Sequence, residues 1–253
     1  MGKLSVVVLT KNSAKEIEKC LKSLVFADEV IVIDDGSTDS TLELARKNNA
    51  KIFSHELKGD FANQRNYGLA KAKFKWVFFV DSDEIVTQEL AEEVLSVAKG
   101  DTGLSGYFIK RQDQLWGREL SHGDNSAKLL RLGRKDEGLF RGAVHEVWDI
   151  NGQTGNLNAK LLHYPHQTLV EFLQELNFYS GIRAEELYEE KQKVKWYEVV
   201  VYPVAKFLKL YILKKGFLDR EQGFIAAISM SFYSFLVRAK LWELYEKGDK
   251  KRK

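Results

Sequence analysis

Three short apolar runs in the first eighty residues restrict the fold of this chain more than any other feature. Leu4 to Leu9, Val30 to Ile33 and Trp76 to Val80 are continuous and rich in β-branched or aromatic side chains. A run without polar alternation suits a strand covered on both faces, which is the condition of a parallel sheet. Helical signals stand between the runs. Ser13-x-x-Glu16 and Ser40-x-x-Glu43 have capping-box spacing, and Ile17, Leu21 and Leu24 share one helical face. Lys51 to Ser54 predicts a further short strand, and Ala62 to Ala72 a further helix. The order βαβαβαβ predicts an α/β fold: a parallel sheet with helices on both faces, joined by right-handed crossovers.

After about Gly100 the pattern loosens. Gly106 to Lys110 and Lys128 to Leu132 read as strands, and from about Thr168 the reading is helical almost to the end. A boundary near Tyr164-Pro165 divides a catalytic domain, 1–165, from a basic, amphipathic helical region, 166–253. The 44% apolar and 30% charged composition is that of an ordinary soluble protein. The single cysteine, Cys20, excludes an internal disulfide, and the first apolar run is too short for a signal peptide. The expected location is the cytoplasm.

In an open parallel sheet, ligands bind beyond the carboxyl ends of the strands. Two acidic clusters fall there, Asp34-Asp35-Gly36-Ser37-Thr38-Asp39 and Asp81-Ser82-Asp83-Glu84. Acids after strands also serve as turn formers, but two clusters at equivalent ends of one sheet point to a ligand. Carboxylates at i and i+2, such as Asp81 and Asp83, can reach one hard divalent cation and leave its other sites to phosphate oxygens. The chain has neither a Gly-x-Gly-x-x-Gly turn after the first strand nor a P-loop, which disfavours dinucleotide oxidoreductases and P-loop phosphotransferases.

The segments Ser5 to Asn12, Val30 to Asp39, Asn63-Gln-Arg-Asn-Tyr-Gly68 and Val80-Asp-Ser-Asp-Glu84 resemble, in order and spacing, the inverting glycosyltransferases of family 2. More loosely, Phe140-Arg-Gly-Ala-Val-His-Glu146, Leu162-His163, Gly216-Phe-Leu-Asp219 and Gly223-Phe224 resemble the lipopolysaccharide-core β-glucosyltransferase branch. Two places depart from that pattern. Ser121 to Lys128 stands where a Gly-Trp and Pro-Asp stretch is usual, and Asp219-Arg220 where Asp-Gly is usual. Both bear on the acceptor more than on the reaction.

The resemblance implies a GT-A fold, Rossmann-like, with a nucleotide-diphosphate sugar as donor, UDP in particular. It implies that Asp35 binds the base with Thr10 and Asn12 beside it, that Arg65 approaches the nucleotide or its diphosphate, and that Asp81 and Asp83 hold ribose and metal. The metal, Mn2+ or Mg2+, would neutralise charge on the leaving diphosphate. An inverting displacement needs a base for the acceptor hydroxyl. Glu146 is the candidate, with Asp124 and Asp149 as alternatives; the competing reading pairs Glu146 with Arg141. His163 is a usable third metal ligand and His145 a candidate for substrate contact. His163-x-x-His166 is interrupted by Pro165 and does not make a zinc pair.

From Lys191 to Lys253 there are 15 Lys/Arg against 6 Asp/Glu, although the whole chain is only +3. Lys191 to Lys215 interleaves lysines with Trp196, Tyr197, Tyr202, Phe207 and Tyr211, as a helix at an anionic membrane surface does. Gln222 to Val237 carries no charge but reads as too short and too polar to span a bilayer. No nucleic-acid partner is expected. Three function classes follow. The first is transfer to a lipid-linked saccharide, such as lipopolysaccharide core, at the inner face of the cytoplasmic membrane. The others are transfer to a polyprenyl phosphate, and nucleotide-sugar binding without catalysis.

Overall fold

The structure, a computed structural model, describes residues 2–250 except 101, 124–125, 143–145 and 166–167, with no side chain described at 248–250. Asp124, His145 and His166 therefore lie outside the described residues. The chain forms two compact units, Met1–Gln112 with Ala127–His163, and Asp113–Ser126 with Tyr164–Lys253.

The first unit follows the expected alternation: β1 (Leu4–Thr10), α1 (Ile17–Lys22), β2 (Glu29–Asp34), α2 (Thr41–Lys47), β3 (Lys51–Ser54), α3 (Phe61–Lys71) and β4 (Trp76–Asp81). It continues through β5 (Glu84–Val86), α4 (Gln88–Lys99), β6 (Gly106–Leu115) and β8 (Ser126–Arg134), while β7 (Arg118–Glu119), paired with the end of β6, falls in the 113–126 segment of the second unit. The last strands are β9 (Gly138–Arg141), β10 (Val147–Ile150) and β11 (Thr154–His163). β3, β2, β1 and β4 lie side by side and parallel. β8 joins β4 antiparallel, and the sheet runs on through β6 and β11 to β5. β9 and β10 form a separate antiparallel pair.

All seven residues of β1 are buried. Leu4, Val6 and Val8 pack with Ile17 and Leu21 of α1 and Leu90 and Val94 of α4. Val7 and Leu9 pack on the opposite face with Ile31, Ile33, Phe79 and Leu69 of α3. The uninterrupted apolar run is thus the direct consequence of helices on both sides. On α3, a Cβ at Gly68 would stand 2.6 Å from Val7 Cγ1, so glycine lets this helix lie close against the sheet. One turn earlier, the same helix carries Arg65.

Neither expected capping box forms. The N-caps of α1 and α2 are Glu16 and Ser40, and neither makes a side-chain cap bond. The Ser13 hydroxyl lies 2.8 Å from that of Ser82 instead, reaching across the sheet end rather than into its own helix. Asp39 accepts the amides of Thr41 and Ala14 and so ties together the loops after β1 and β2.

The second unit holds α5 (Leu169–Glu189), α6 (Glu198–Leu208), a π turn at Lys209–Leu213, a 3-10 turn at Gly216–Asp219, and α7 (Arg220–Lys250). Thr168 and Glu171 form a complete capping box at the start of α5. α5 and α6 both pack on α7. Lys240 Nζ donates to Ser180 Oγ at 2.9 Å, and Ser231 Oγ donates to the Pro203 carbonyl at 2.7 Å. The segment Asp113–Ser126 belongs here because Leu115 and Leu120 bury with Ala226. In addition, the buried Asp219 accepts the His122 amide at 2.8 Å and lies 2.8 Å from its ring Nδ1.

Gly216–Lys247 is 32 residues long and, by length and composition, apolar enough to cross a membrane. The expectation that this region is too short and too polar to span does not hold on that ground, because the helix runs past Arg238. A core helix of a soluble protein passes the same test.

Arg220 has φ 55 and ψ −138. That corner of backbone space belongs to glycine, and a larger residue there costs of order 1–3 kcal/mol. The strain accounts for the Asp-Gly that the related pattern carries at this place. Arg220→Gly should therefore stabilise the second unit by about 1 kcal/mol. A denaturant melt with an unchanged or lower midpoint would refute the strain.

Candidate active site

The carboxyl ends of β1, β2 and β4 meet in register, with Thr10 opposite Asp34 and Leu9 opposite Asp81. Thr10 is buried and its hydroxyl has no partner. Asn12, at φ 48, accepts the Thr38 amide at 2.8 Å and donates its own amide to Ser37 Oγ at 2.9 Å. Asp34 accepts the amides of Gly36 and Ser37 and shapes the turn, which frees Asp35 to point away from it. Asp35 accepts Lys11 Nζ at 2.8 Å and the Leu57 amide at 2.7 Å. Burial resists its charge, but these two donors outweigh burial and hold the carboxyl below its ordinary range. Thr10, Asn12 and Asp35 thus line one loop cluster, as expected. Lys11, which had no assigned role, is the counter-ion.

β4 delivers Asp81 into a buried charge network. Arg131 Nη2 donates to Asp81 Oδ2 at 2.6 Å, and Arg65 Nη2 donates to Asp81 Oδ1 at 3.1 Å. Arg65 Nε donates to Glu146 Oε1 at 2.6 Å. Both arginines are nearly fully buried. Glu84 is completely buried, accepts the Asp81 amide at 2.8 Å and lies 3.4 Å from Arg131 Nη2. Burial opposes the Asp81 charge, yet the Arg131 and Arg65 guanidiniums prevail and keep its carboxyl far below the usual range. Burial pushes Glu84 the other way, up to about 7; Arg131 resists this, while Asp81 and Asp83 add to it. Two adjacent carboxyls are thereby driven apart, one kept ionised and one close to neutral.

Glu146 stands beside Arg65 because the β9–β10 pair is pinned to α3. Asn66 Nδ2 donates to the Phe140 carbonyl at 2.9 Å, and the Phe140 amide donates to Asn66 Oδ1 at 2.8 Å. Phe140 and Trp148 then meet Phe79 edge-on, and the Arg65 guanidinium lies 5.7 Å from the ring centres of both Phe79 and Phe140. The competing reading, a pairing of Glu146 with Arg141, does not form; Arg141 pairs with Asp149 at 2.9 Å on the surface. Glu146 is an ion-pair partner, but of Arg65.

The expected three-ligand metal group does not assemble. Among the described residues, no three His, Cys, Asp or Glu side chains are placed to hold a metal ion. The reason is electrostatic, since the two guanidiniums take the Asp81 carboxylate. Asp83 and His163 do meet, with Oδ2 and Nε2 3.3 Å apart. β11 brings His163 there by pairing with β5, His163 opposite Glu84. One carboxylate oxygen and one imidazole nitrogen form a two-donor set suited to Mn2+ or Mg2+ whose remaining ligands come from phosphate and water.

Residues 5–144 match the family model for Glycosyl transferase family 2. The chain belongs to glycosyltransferase family 2. Over 95% of its length it is 27% identical to a lipopolysaccharide core biosynthesis glycosyltransferase, LpsC, of Rhizobium meliloti, covering 92% of that protein. It is also 27% identical to an uncharacterised glycosyltransferase of Rickettsia typhi, over 96% of this chain and 88% of that one. Among solved structures, S. aureus TarS in complex with UDP-GlcNAc is 17% identical and covers 97% of this chain and 92% of its own, at a TM-score of 0.47. As a family 2 glycosyltransferase the chain has the GT-A arrangement. Arg131 and Glu84 are the members of its charge network that sequence reading left without a role. A lone arginine inside Leu129-Leu-Arg-Leu132 was the available signal, because a strand buries such a charge only beside an acid.

A pH test follows from Glu84. Its folded-state proton is held up to about 7 against an ordinary 4.5, so the folded state binds more protons than the unfolded state between those values. Stability from this group is therefore lost as pH rises through that window. Glu84→Gln cannot titrate, so its stability relative to wild type should improve from pH 4.5 to 7. Urea melts across that range that run parallel would overturn the assignment.

Proposed function

We propose that this family 2 enzyme is an inverting glycosyltransferase that moves a sugar from a UDP-sugar to a hydroxyl of a lipid-linked saccharide, lipopolysaccharide core in particular. The observation that carries the reading is the Arg65 bridge, with Asp81 on the donor side and Glu146 on the other. Thr10, Asn12 and Asp35 receive the base, and Asp81 the ribose. Arg65 Nη1, buried and without a hydrogen-bond partner, is a ready donor for a diphosphate oxygen. Asp83 and His163 would hold Mn2+ or Mg2+, which when bound supplies positive charge to the leaving diphosphate. Glu146 uses one oxygen for Arg65 and keeps the other for the acceptor. As the acceptor oxygen bonds to the anomeric carbon, Glu146 takes its proton and the bond to the diphosphate oxygen breaks, so the anomeric configuration inverts. The relationship to LpsC supports the choice of acceptor.

Glu146→Gln should keep donor binding and lose roughly 10²–10⁴-fold in turnover. Asp83→Ala or excess chelator should also stop turnover without unfolding the chain. A product with retained configuration would refute single displacement. Full turnover in Glu146→Gln would favour a phosphate acceptor, which needs no base.

The second unit supports work at the inner face of a membrane. No residue of α6 is buried, and Trp196, Val200, Val201, Val204 and Leu213 are each more than half exposed beside Lys206, Lys209, Lys214 and Lys215. Apolar area next to positive charge is the composition of a peripheral anchor. The hydrogen bonds of α7 to α5 and α6 favour a packed helix over a span. Binding to anionic vesicles should weaken as salt rises, and alkaline carbonate should release the protein from membranes. Retention after carbonate would identify a spanning helix.

A further inference from the structure

The turn between α6 and α7 presents apolar side chains to solvent from a firmly held backbone. Leu213 is 77% exposed, and Ile212, Phe217 and Leu218 are each about half exposed. The backbone beneath them is pinned to the 113–126 segment at two points. The Gly123 amide donates to the Lys214 carbonyl at 3.0 Å. The buried Asp219 accepts the Ser121 amide at 3.3 Å and the His122 amide at 2.8 Å. Gly216 and Gly223 draw the turn against its own flanking elements. A Cβ on Gly216 would stand 2.8 Å from the Leu210 carbonyl oxygen, and one on Gly223 would overlap the carbonyl oxygen of Gly216. Lys215 and Arg220 take left-handed φ values of 57 and 55. Non-glycine residues hold such a conformation only where their surroundings impose it. An ordered turn that leaves four large apolar side chains in water marks a contact surface.

The chemistry around the tip says what it contacts. Behind it stands a cluster of rings: the centres of Phe207 and Tyr211 are 5.3 Å apart, those of Tyr211 and Phe224 5.5 Å, and those of Tyr211 and Phe217 6.3 Å. Rings with one apolar and one wet side collect at the headgroup level of a bilayer. Lys209, Lys215 and Arg220 are exposed beside the tip and make no ion pair among the described residues. From Phe207 to Arg220 the one acid is Asp219, whose carboxylate is engaged by the Ser121 and His122 amides. Glu221 follows, exposed, and offsets one of the three cations. An anionic bilayer offers an apolar interior beneath negative headgroups, which answers both the apolar tip and the cations beside it. An apolar groove on another protein would answer the tip alone.

We propose that the 212–218 turn is a wedge that enters the acyl region of an anionic bilayer, with Lys209, Lys215 and Arg220 at the headgroups. The proposal rests on the membrane reading above and adds the element that inserts, where α6 and its lysines would only lie on the surface. The test uses Ile212→Gln/Leu218→Gln. Both side chains are half exposed, so a thermal melt should match wild type. Donor hydrolysis should be unchanged, because neither residue belongs to the donor loops or the charge network. Cosedimentation with phosphatidylglycerol vesicles at fixed low salt should weaken at least about tenfold, although every lysine is retained. A second measurement reads depth. An NBD label on Leu213→Cys, with Cys20 buried and shielded from the reagent, should shift to the blue and brighten severalfold on adding the same vesicles. Full vesicle binding by Ile212→Gln/Leu218→Gln, or a label that stays in water on bound protein, overturns the wedge and leaves peripheral attachment through α6 standing. Failure of wild type to bind these vesicles overturns both and makes the turn a face for another protein. A blue-shifted label on protein that alkaline carbonate does not extract assigns the tip to a spanning α7 and also overturns the proposal. None of these results touches the glycosyltransferase reading.

Discussion

The Arg65 guanidinium is the interaction on which the active-site architecture depends. It is buried on α3 and bonded to Asp81 on β4 and to Glu146 beside β10. A buried cation of this kind costs several kcal/mol in desolvation unless its partners are well placed. Every nearby element is arranged to place them. Gly68 brings α3 against Val7, Asn66 clamps the Phe140 backbone, and Phe79, Phe140 and Trp148 wall the charge from water. Arg131 gives Asp81 a second cation, which makes that carboxylate the most firmly ionised group in the network.

The same network divides labour among neighbouring acids. Asp81 is committed to arginines, Glu84 stays close to neutral beneath it, and Asp83 is left to face His163. Three acids within four consecutive residues thus acquire three environments, because a turn at Ser82–Asp83 separates the end of β4 from the start of β5 and burial differs at each. A metal bound by Asp83 and His163 would need substrate oxygens to complete its shell, which couples its retention to the presence of the donor.

The second unit rests on a different physical basis. Its three long helices share only part of their apolar surface with one another, and α6 buries none of its residues. Polar contacts carry much of the specificity there: Asp219 gathers the Ser121–His122 backbone, and Gly223 lets α7 touch the Gly216 carbonyl. Arg220 sits in a glycine conformation beside that contact, a local conflict between residue and backbone at the point where the chain departs from the related pattern.

The sequence by itself determined the parallel sheet, its strand order of appearance and the acidic loops at its carboxyl ends. Those features rest on local signals: unbroken apolar runs, acids at strand ends and helical spacing, all readable within a dozen residues. Local signals also misled, as at Ser13 and Ser40, where capping spacing was present but no side-chain cap bond formed, the Ser13 hydroxyl meeting that of Ser82 across the sheet end. Only the tertiary structure decided that Asp81 pairs with Arg65 and Arg131, and that Glu146 pairs with Arg65 and not with Arg141. It alone grouped the 113–126 segment with the helical unit. The hydrogen bonds behind these outcomes join residues from 16 to 98 positions apart. Desolvation selects such partners by their position in space, and sequence spacing carries no record of it.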